Sequence, residues 1–240
     1  MPTLETMNSN VSEDSASFVE SVIAEDNIAA LQGKEAECAI SRQLITIIAN
    51  TCKKKPSISH SEMVYNVKLI FPLLYAILDW LEDHPTSPVF VSGEEELLSM
   101  SKQLTNIKNN SSRNIYKADG VVRLGDDIEV LLVETIGSFG LDNPVKLSFD
   151  NSKAMFDLLA MILSIANKYS CLRMSSFKKL KLLFLQPGSD ALRLWTLAYS
   201  KNGKYGYKRV AKAIISEDYE ERSTCFLEFV SFFLNLKEHL

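Results

Sequence analysis

Two acids stand where acids are costly. Asp119 and Glu134 lie in apolar, β-type runs, KADGVVRL from Lys117 and IEVLLVE from Ile128, separated by Gly125-Asp126-Asp127. A carboxylate buried in such a run needs a cationic partner or a metal. Gly125-Asp126 suits a two-residue turn with glycine first. That register sets Arg123 opposite Ile128, Val121 opposite Val130, Asp119 opposite Leu132 and Lys117 opposite Glu134. Lys117, Asp119 and Glu134 then share one face. Asp119 and Glu134 become diagonal neighbours roughly 7–8 Å apart at the backbone, close enough for their carboxylates to converge on one divalent cation. A three-residue loop throws the two acids to opposite faces instead. A purely structural alternative pairs Lys117 with Glu134 and lets Asp119 accept hydrogen bonds from a bulge at Gly120.

Helix, hairpin with Asp on one strand and Glu on the next, helix and a further buried strand resemble the core of the PD-(D/E)XK nuclease superfamily, over roughly residues 60–190. In that family the first acid and the acid of the ExK motif hold Mg²⁺, and a lysine places or activates water. The resemblance implies Asp119 and Glu134 as the Mg²⁺ ligands. Ile136 occupies the lysine position in Glu134-Thr135-Ile136, and no proline precedes Asp119. The ammonium then comes from Lys117 across the hairpin or from Lys146 or Lys153 on the following helix; Lys117 or Lys153 is the expected catalytic lysine. Glu62 is either the helical acid that some of these nucleases add or a first-turn glutamate explained by the helix dipole. The implied chemistry is metal-assisted phosphodiester hydrolysis, with a phosphate oxygen received at the helix start Asn143-Pro144. The competing reading is a catalytically inactive intracellular interaction protein on the same scaffold. KADGVVRL, EVLLVETIGSFG, FKKLKLLFLQPG and ALRLW separately resemble a multicopy family of fungal proteins over about 115–235, which implies no activity.

A second region carries charge and rings. Lys204, Lys208 and Lys212 are expected on one face of a hairpin strand, with Arg193, Trp195 and Tyr199 on one face of its partner. Basic side chains beside stacking rings suit a nucleic-acid backbone and unpaired bases, and Arg193, Lys204, Lys208 and Lys212 are the expected contacts. An ordinary solvated sheet face has the same pattern. Gly137-Ser138-Phe139-Gly140 lacks GK[ST] and GxGxxG, so it reads as a loop and not as a phosphate cradle. His60, His84 and His239 are scattered, without a GxSxG elbow or a second histidine at ligand spacing. Cys38, Cys52, Cys171 and Cys225 contain no CxxC pair, which argues against zinc and against a disulfide scaffold.

The elements that position these residues follow from periodicity. The 240 residues are 46% hydrophobic and 23% charged, ordinary for a soluble globular chain, and the net charge of -4 is unevenly spread. Acids dominate residues 1–37 and bases dominate 171–215, so nucleic acid is the expected partner of the second region. The acidic N-terminal helices are a possible surface for a protein partner. Residues 1–16 read as a disordered tail. Apolar spacing predicts helices around Phe18, Val22 and Ile23 and around Ile40, Leu44, Ile47 and Ile48, ending at the basic break Lys53-Lys54-Lys55-Pro56. Ser59 or Ser61 caps a central buried helix reaching about Asp83 and bent at Pro72. Ser92-Gly93-Glu94-Glu95 reads as a capping box opening a helix over 93–108. A long helix follows over 144–169, then a strand at 180–185 buried on both faces, a hairpin at Asn202-Gly203, and a last helix over 217–236. The fold class is α/β: a mixed central sheet flanked by helices, with an N-terminal helical layer (17–58) and a core (59–240) ending in a β-hairpin plus helix. The apolar window 69–81 is shorter than the roughly 20 residues a membrane span needs. No signal-peptide pattern opens the chain, so no membrane association is expected and the cytoplasm or nucleus is the expected compartment.

Overall fold

The computed structural model of the chain describes residues 35–53, 58–81, 87–108, 115–125, 127–141, 144–215 and 222–240. The 1–16 tail, the helix around Phe18, Asp126 of the turn and the Asn143 cap lie outside them. A six-stranded sheet runs in simple sequence order: β1 (Pro88–Glu96), β2 (Lys117–Leu124), β3 (Ile128–Val133), β4 (Lys181–Pro187), β5 (Ala191–Tyr199) and β6 (Tyr205–Ile214). Among the described strands, β3 and β4 are the pair that runs parallel; the other neighbours are antiparallel. Their crossover contains α4 (Pro144–Lys168) and the short α5 (Met174–Phe177). This is an α/β fold with a mixed sheet, as the periodicity predicts.

Both faces of the sheet are covered, which is why β3 and β4 are almost wholly apolar. On one face α1 (Glu35–Lys53), the helical segment α2 (62–79) and α6 (Arg222–His239) share a core with Leu131, Val133, Leu183 and Leu185. On the other, Ala154, Leu158, Met161 and Ile162 of α4 pack on Val121, Leu132, Leu182 and Phe184. Within α2 an α-turn (Glu62–Tyr65) and an α-helix (Phe71–Asp79) flank a π-turn, Asn66–Ile70. The sequence predicts a bend at Pro72; the departure from regular α-helix is instead this widened turn just ahead of the proline. Ser61 caps the segment, accepting from the Val64 amide at 3.3 Å.

One element differs in kind from expectation. The supposed capping box lies inside β1. Pro88 opens this edge strand, where its missing N–H costs nothing. Gly93 takes φ +96° where the pairing with β2 slips between Ser92 and Glu95. α3 (Leu98–Lys108) begins later and is capped from afar. Both oxygens of buried Glu129 accept from its first amides, Leu98 at 2.7 Å and Ser99 at 3.0 Å. A carboxylate at a helix N-terminus satisfies orphan donors and complements the dipole.

Candidate functional site

The β2–β3 hairpin does not follow the predicted register. Leu124 pairs with Ile128, leaving three residues in the turn, and Val130 is then unpaired between Arg123–Glu129 and Val122–Leu131. The longer turn inverts the side-chain parity and the bulge inverts it back. Gly120 pairs with Val133, so one step further along the strands Asp119 stands level with Glu134. The predicted pairs Asp119–Leu132 and Lys117–Glu134 are therefore corrected. Gly120 itself has no room for a side chain, because a Cβ there would lie 2.6 Å from the Phe90 ring.

Asp119 and Glu134 come together beneath α4. The Asp119 carboxylate accepts from the Thr135 amide at 2.7 Å. Glu134 accepts from the Lys153 ammonium of α4 at 2.7 Å, and that ammonium lies 5.0 Å from the centre of the Tyr116 ring. Glu62, on the first turn of α2, reaches the same strand end. It accepts from the Gly137 amide at 2.9 Å and from the Lys146 ammonium at 2.8 Å, and Lys146 also donates to the Thr135 carbonyl at 3.2 Å. Thr135 is anchored by its hydroxyl on Asn66, 2.6 Å away. Two strand ends, α2 and α4 thus meet in one layer of alternating charge.

Burial dominates the electrostatics. Desolvation pushes Glu134 up to about 7, against the pull of Lys153 and with further help from the Asp119 charge. Asp119 is also raised, chiefly by burial, against the Thr135 amide and with a repulsive contribution from Glu62. Burial draws Lys153 downward, but Glu134, Asp157 and Asp150 more than offset it and leave the ammonium above its ordinary range. Asp157, fully buried on α4, is pushed to about 6 by desolvation although Tyr116 donates to it at 3.1 Å. Its other carboxylate oxygen has no hydrogen-bond partner among the described residues. Burial raises Asp150 as well, so Asp119, Glu134, Asp150 and Asp157 are four carboxylates whose environments disfavour ionisation, gathered around Lys146 and Lys153. No group of three or more His, Cys, Asp or Glu side chains among the described residues forms a ready-made metal cage.

Comparison with models of protein families, with curated proteins and with solved structures finds no match for this chain. The site therefore has to be read from its own geometry.

Of the other sequence candidates, Lys117 is diverted: its ammonium meets Glu94 of β1 at 2.7 Å, and both side chains are largely exposed. The expectation that Lys204, Lys208 and Lys212 share a face is corrected by a second bulge. Lys212 pairs with Arg193 but Lys208 pairs with Thr196, because Val210 is unpaired between Leu194–Ala211 and Trp195–Arg209. Lys208 and Lys212 consequently point to opposite sides. Arg193 is mostly buried and bonds Asp190 at 3.2 Å. Lys204 follows the Asn202-Gly203 turn and is exposed. Periodicity gave no access to Tyr116, Asp150, Asp157 and Gln186. Gln186 pairs with Arg193, is fully buried, and accepts from the Trp195 ring N–H at 3.2 Å while its amide N–H₂ is unpartnered among the described residues. A polar residue closing the apolar run KLLFLQ was the available signal.

Proposed function

We propose that this chain is a restriction-endonuclease-like domain that binds nucleic acid and hydrolyses its phosphodiester bonds with Mg²⁺ held by Asp119 and Glu134. The observation that carries the reading is the pair itself: two carboxylates level on neighbouring strands, on the face where α4 offers Lys153. The donors fit the cation. They are hard oxygens, the Asp119 charge raises the proton affinity of Glu134, and Mg²⁺ ordinarily takes one or two protein carboxylates with water and phosphate completing its octahedron. Bound there, the ion supplies Lewis-acid polarisation of a phosphate oxygen and a more acidic water.

The remaining work falls to the chain. The Thr135 amide fixes the Asp119 carboxylate, and Lys146 ties Glu62 to the Thr135 carbonyl, so the acids are aimed before substrate arrives. Lys153 stays protonated well above neutral pH, so its role is to meet developing negative charge on the phosphate and not to act as a base. Reached from α4, Lys153 takes the role that Ile136 cannot; Ile136 is buried. Basic residues Lys204, Lys208, Arg209 and Lys212 add screened, sequence-independent attraction for the phosphate backbone.

The decisive test is incubation of supercoiled plasmid and of single-stranded RNA with Mg²⁺ or Mn²⁺. The expected result is cleavage stopped by chelation and reduced at least about 10³-fold by Glu134→Gln, several kcal/mol of lost transition-state stabilisation. A second reading, an inactive interaction protein on this scaffold, is favoured by the lysines already closing on Glu62 and Glu134. It predicts salt-dependent binding without cleavage, unaffected by Glu134→Gln.

A further inference from the structure

The outward face of α4 is apolar where a helix packed on a sheet should be polar. Val145, Phe149, Phe156 and Leu163 are 79%, 68%, 58% and 44% exposed. With exposed Ser152 and half-buried Leu159 they form a seam at 145, 149, 152, 156, 159 and 163. The spacing is four, three, four, three, four, the a/d alternation of a coiled coil. Read backwards it is identical. A two-fold axis at the level of residue 154 sets Val145 against Leu163, Phe149 against Leu159 and Ser152 against Phe156 of a second copy.

We propose that this seam is a self-association surface on which a second copy of the chain packs its own α4 antiparallel. Three further observations select that occupant. A shallow groove of about 530 Å³ is lined by Pro144, Val145, Ser148, Phe149 and Ser152. The last four sit at i, i+3, i+4 and i+7, the set of four that makes a hole for a coiled-coil knob. The two-fold pairing delivers Leu159 of the partner subunit into it. At the axis the small Ser152 leaves space for the partner's Phe156, and its hydroxyl already donates to the Ser148 carbonyl at 3.1 Å, so burial strands no donor.

The flanks are compatible as well. Ser148 and Met155 carry no charge, while Lys146 and Lys153 on the other side are engaged by Glu62 and Glu134 of their own subunit. The exposed seam presents on the order of 500 Å² of apolar surface per copy, about 1,000 Å² in all, the lower bound for a specific interface. It runs about 27 Å along the helix. The contact is isologous and closes as a dimer. This proposal stands apart from the nuclease reading: the seam at 145, 149, 152, 156, 159 and 163 contains none of the residues assigned to that site, although Lys146 and Lys153 flank it.

Sedimentation of the full chain from roughly 1 µM to roughly 200 µM tests it. The wild type is expected to pass from monomer to dimer, with no higher species. Phe156→Lys and, separately, Ser152→Arg are expected to weaken the dimer at least roughly 100-fold. Leu227→Lys removes an equally exposed leucine outside the seam and is expected to leave the dimer unchanged. Circular dichroism checks that each variant is folded. A wild type monomeric across the range, or folded Phe156→Lys and Ser152→Arg variants that dimerise like it, overturns the proposal.

Discussion

Glu129 and Glu134 lie five residues apart along β3 and its end, and both are removed from water, yet they are treated in opposite ways. Each oxygen of Glu129 accepts a rigid backbone amide from α3, with Arg123 3.6 Å away. Glu134 faces one flexible lysine and a second carboxylate, and burial holds its proton affinity near neutrality. Glu129 completes the fold: each of its oxygens has a fixed amide donor and a helix start depends on it. Glu134 has one side-chain cation and no fixed amide donor to its carboxylate among the described residues, which is what the proposed cation site requires. Burial of an acid therefore does not by itself mark a site. What distinguishes the two is whether fixed donors have consumed the charge.

The sharpest way to break this contrast is to remove each acid in turn. Glu129→Ala strands the Leu98 and Ser99 amides and leaves Arg123 only Glu95 at 2.9 Å and the Glu96 carbonyl at 2.6 Å. It is expected to lose about 3–4 kcal/mol in urea unfolding, the range for breaking a buried charge network. An unchanged midpoint contradicts the capping role.

Glu134→Gln should move stability the other way. The folded protein holds the Glu134 proton up to about pH 7 whereas a free glutamate releases it at 4.5, so native stability falls as pH rises between those values and stays low above them. Glutamine cannot ionise. Without divalent cations the variant is expected to be more stable than wild type by on the order of 2 kcal/mol at pH 8.5, and equal to it near pH 4.5. A variant destabilised at pH 8.5 means that Lys153 satisfies Glu134 as fully as the amides satisfy Glu129.

The smallest effect is assigned to the diverted lysine. The exposed Lys117–Glu94 pair is screened by solvent, so Lys117→Ala is expected to leave the urea midpoint unchanged and cleavage within about twofold of wild type. A large loss of activity would return Lys117 to the site.

The sequence carried the elements whose signal is local. The apolar run at β4, the long α4 opened by Pro144 and the Asn202-Gly203 hairpin all follow from period and turn chemistry. What was illegible depends on single residues out of step. The β2–β3 register hinges on unpaired Val130, and nothing in IEVLLV announces a bulge. Val210 is the same case in β6, and there it separates Lys208 from Lys212. β1 was hidden because Ser-Gly-Glu-Glu satisfies a helix-start pattern, while its true role required Phe90 to pack over Gly120 thirty residues later. The acids of the site were readable as misplaced charges. Lys146 and Lys153 entered only as alternatives to Lys117 through the family resemblance, because the crossover of α4 that brings them to the strand ends is not a local signal, and Tyr116, just before β2, carried no signal at all.

The central claim, that Asp119 and Glu134 are a cation-binding pair and not a structural one, is tested most directly by thermal unfolding with and without Mg²⁺ at constant ionic strength. For a millimolar dissociation constant, about 10 mM MgCl₂ stabilises the native state by about 1.4 kcal/mol, a rise of roughly 3 °C for a chain of this size. Wild type is expected to show that rise and Glu134→Gln to show none. A wild type indifferent to Mg²⁺ and Mn²⁺, or a rise that persists in Glu134→Gln, contradicts the account.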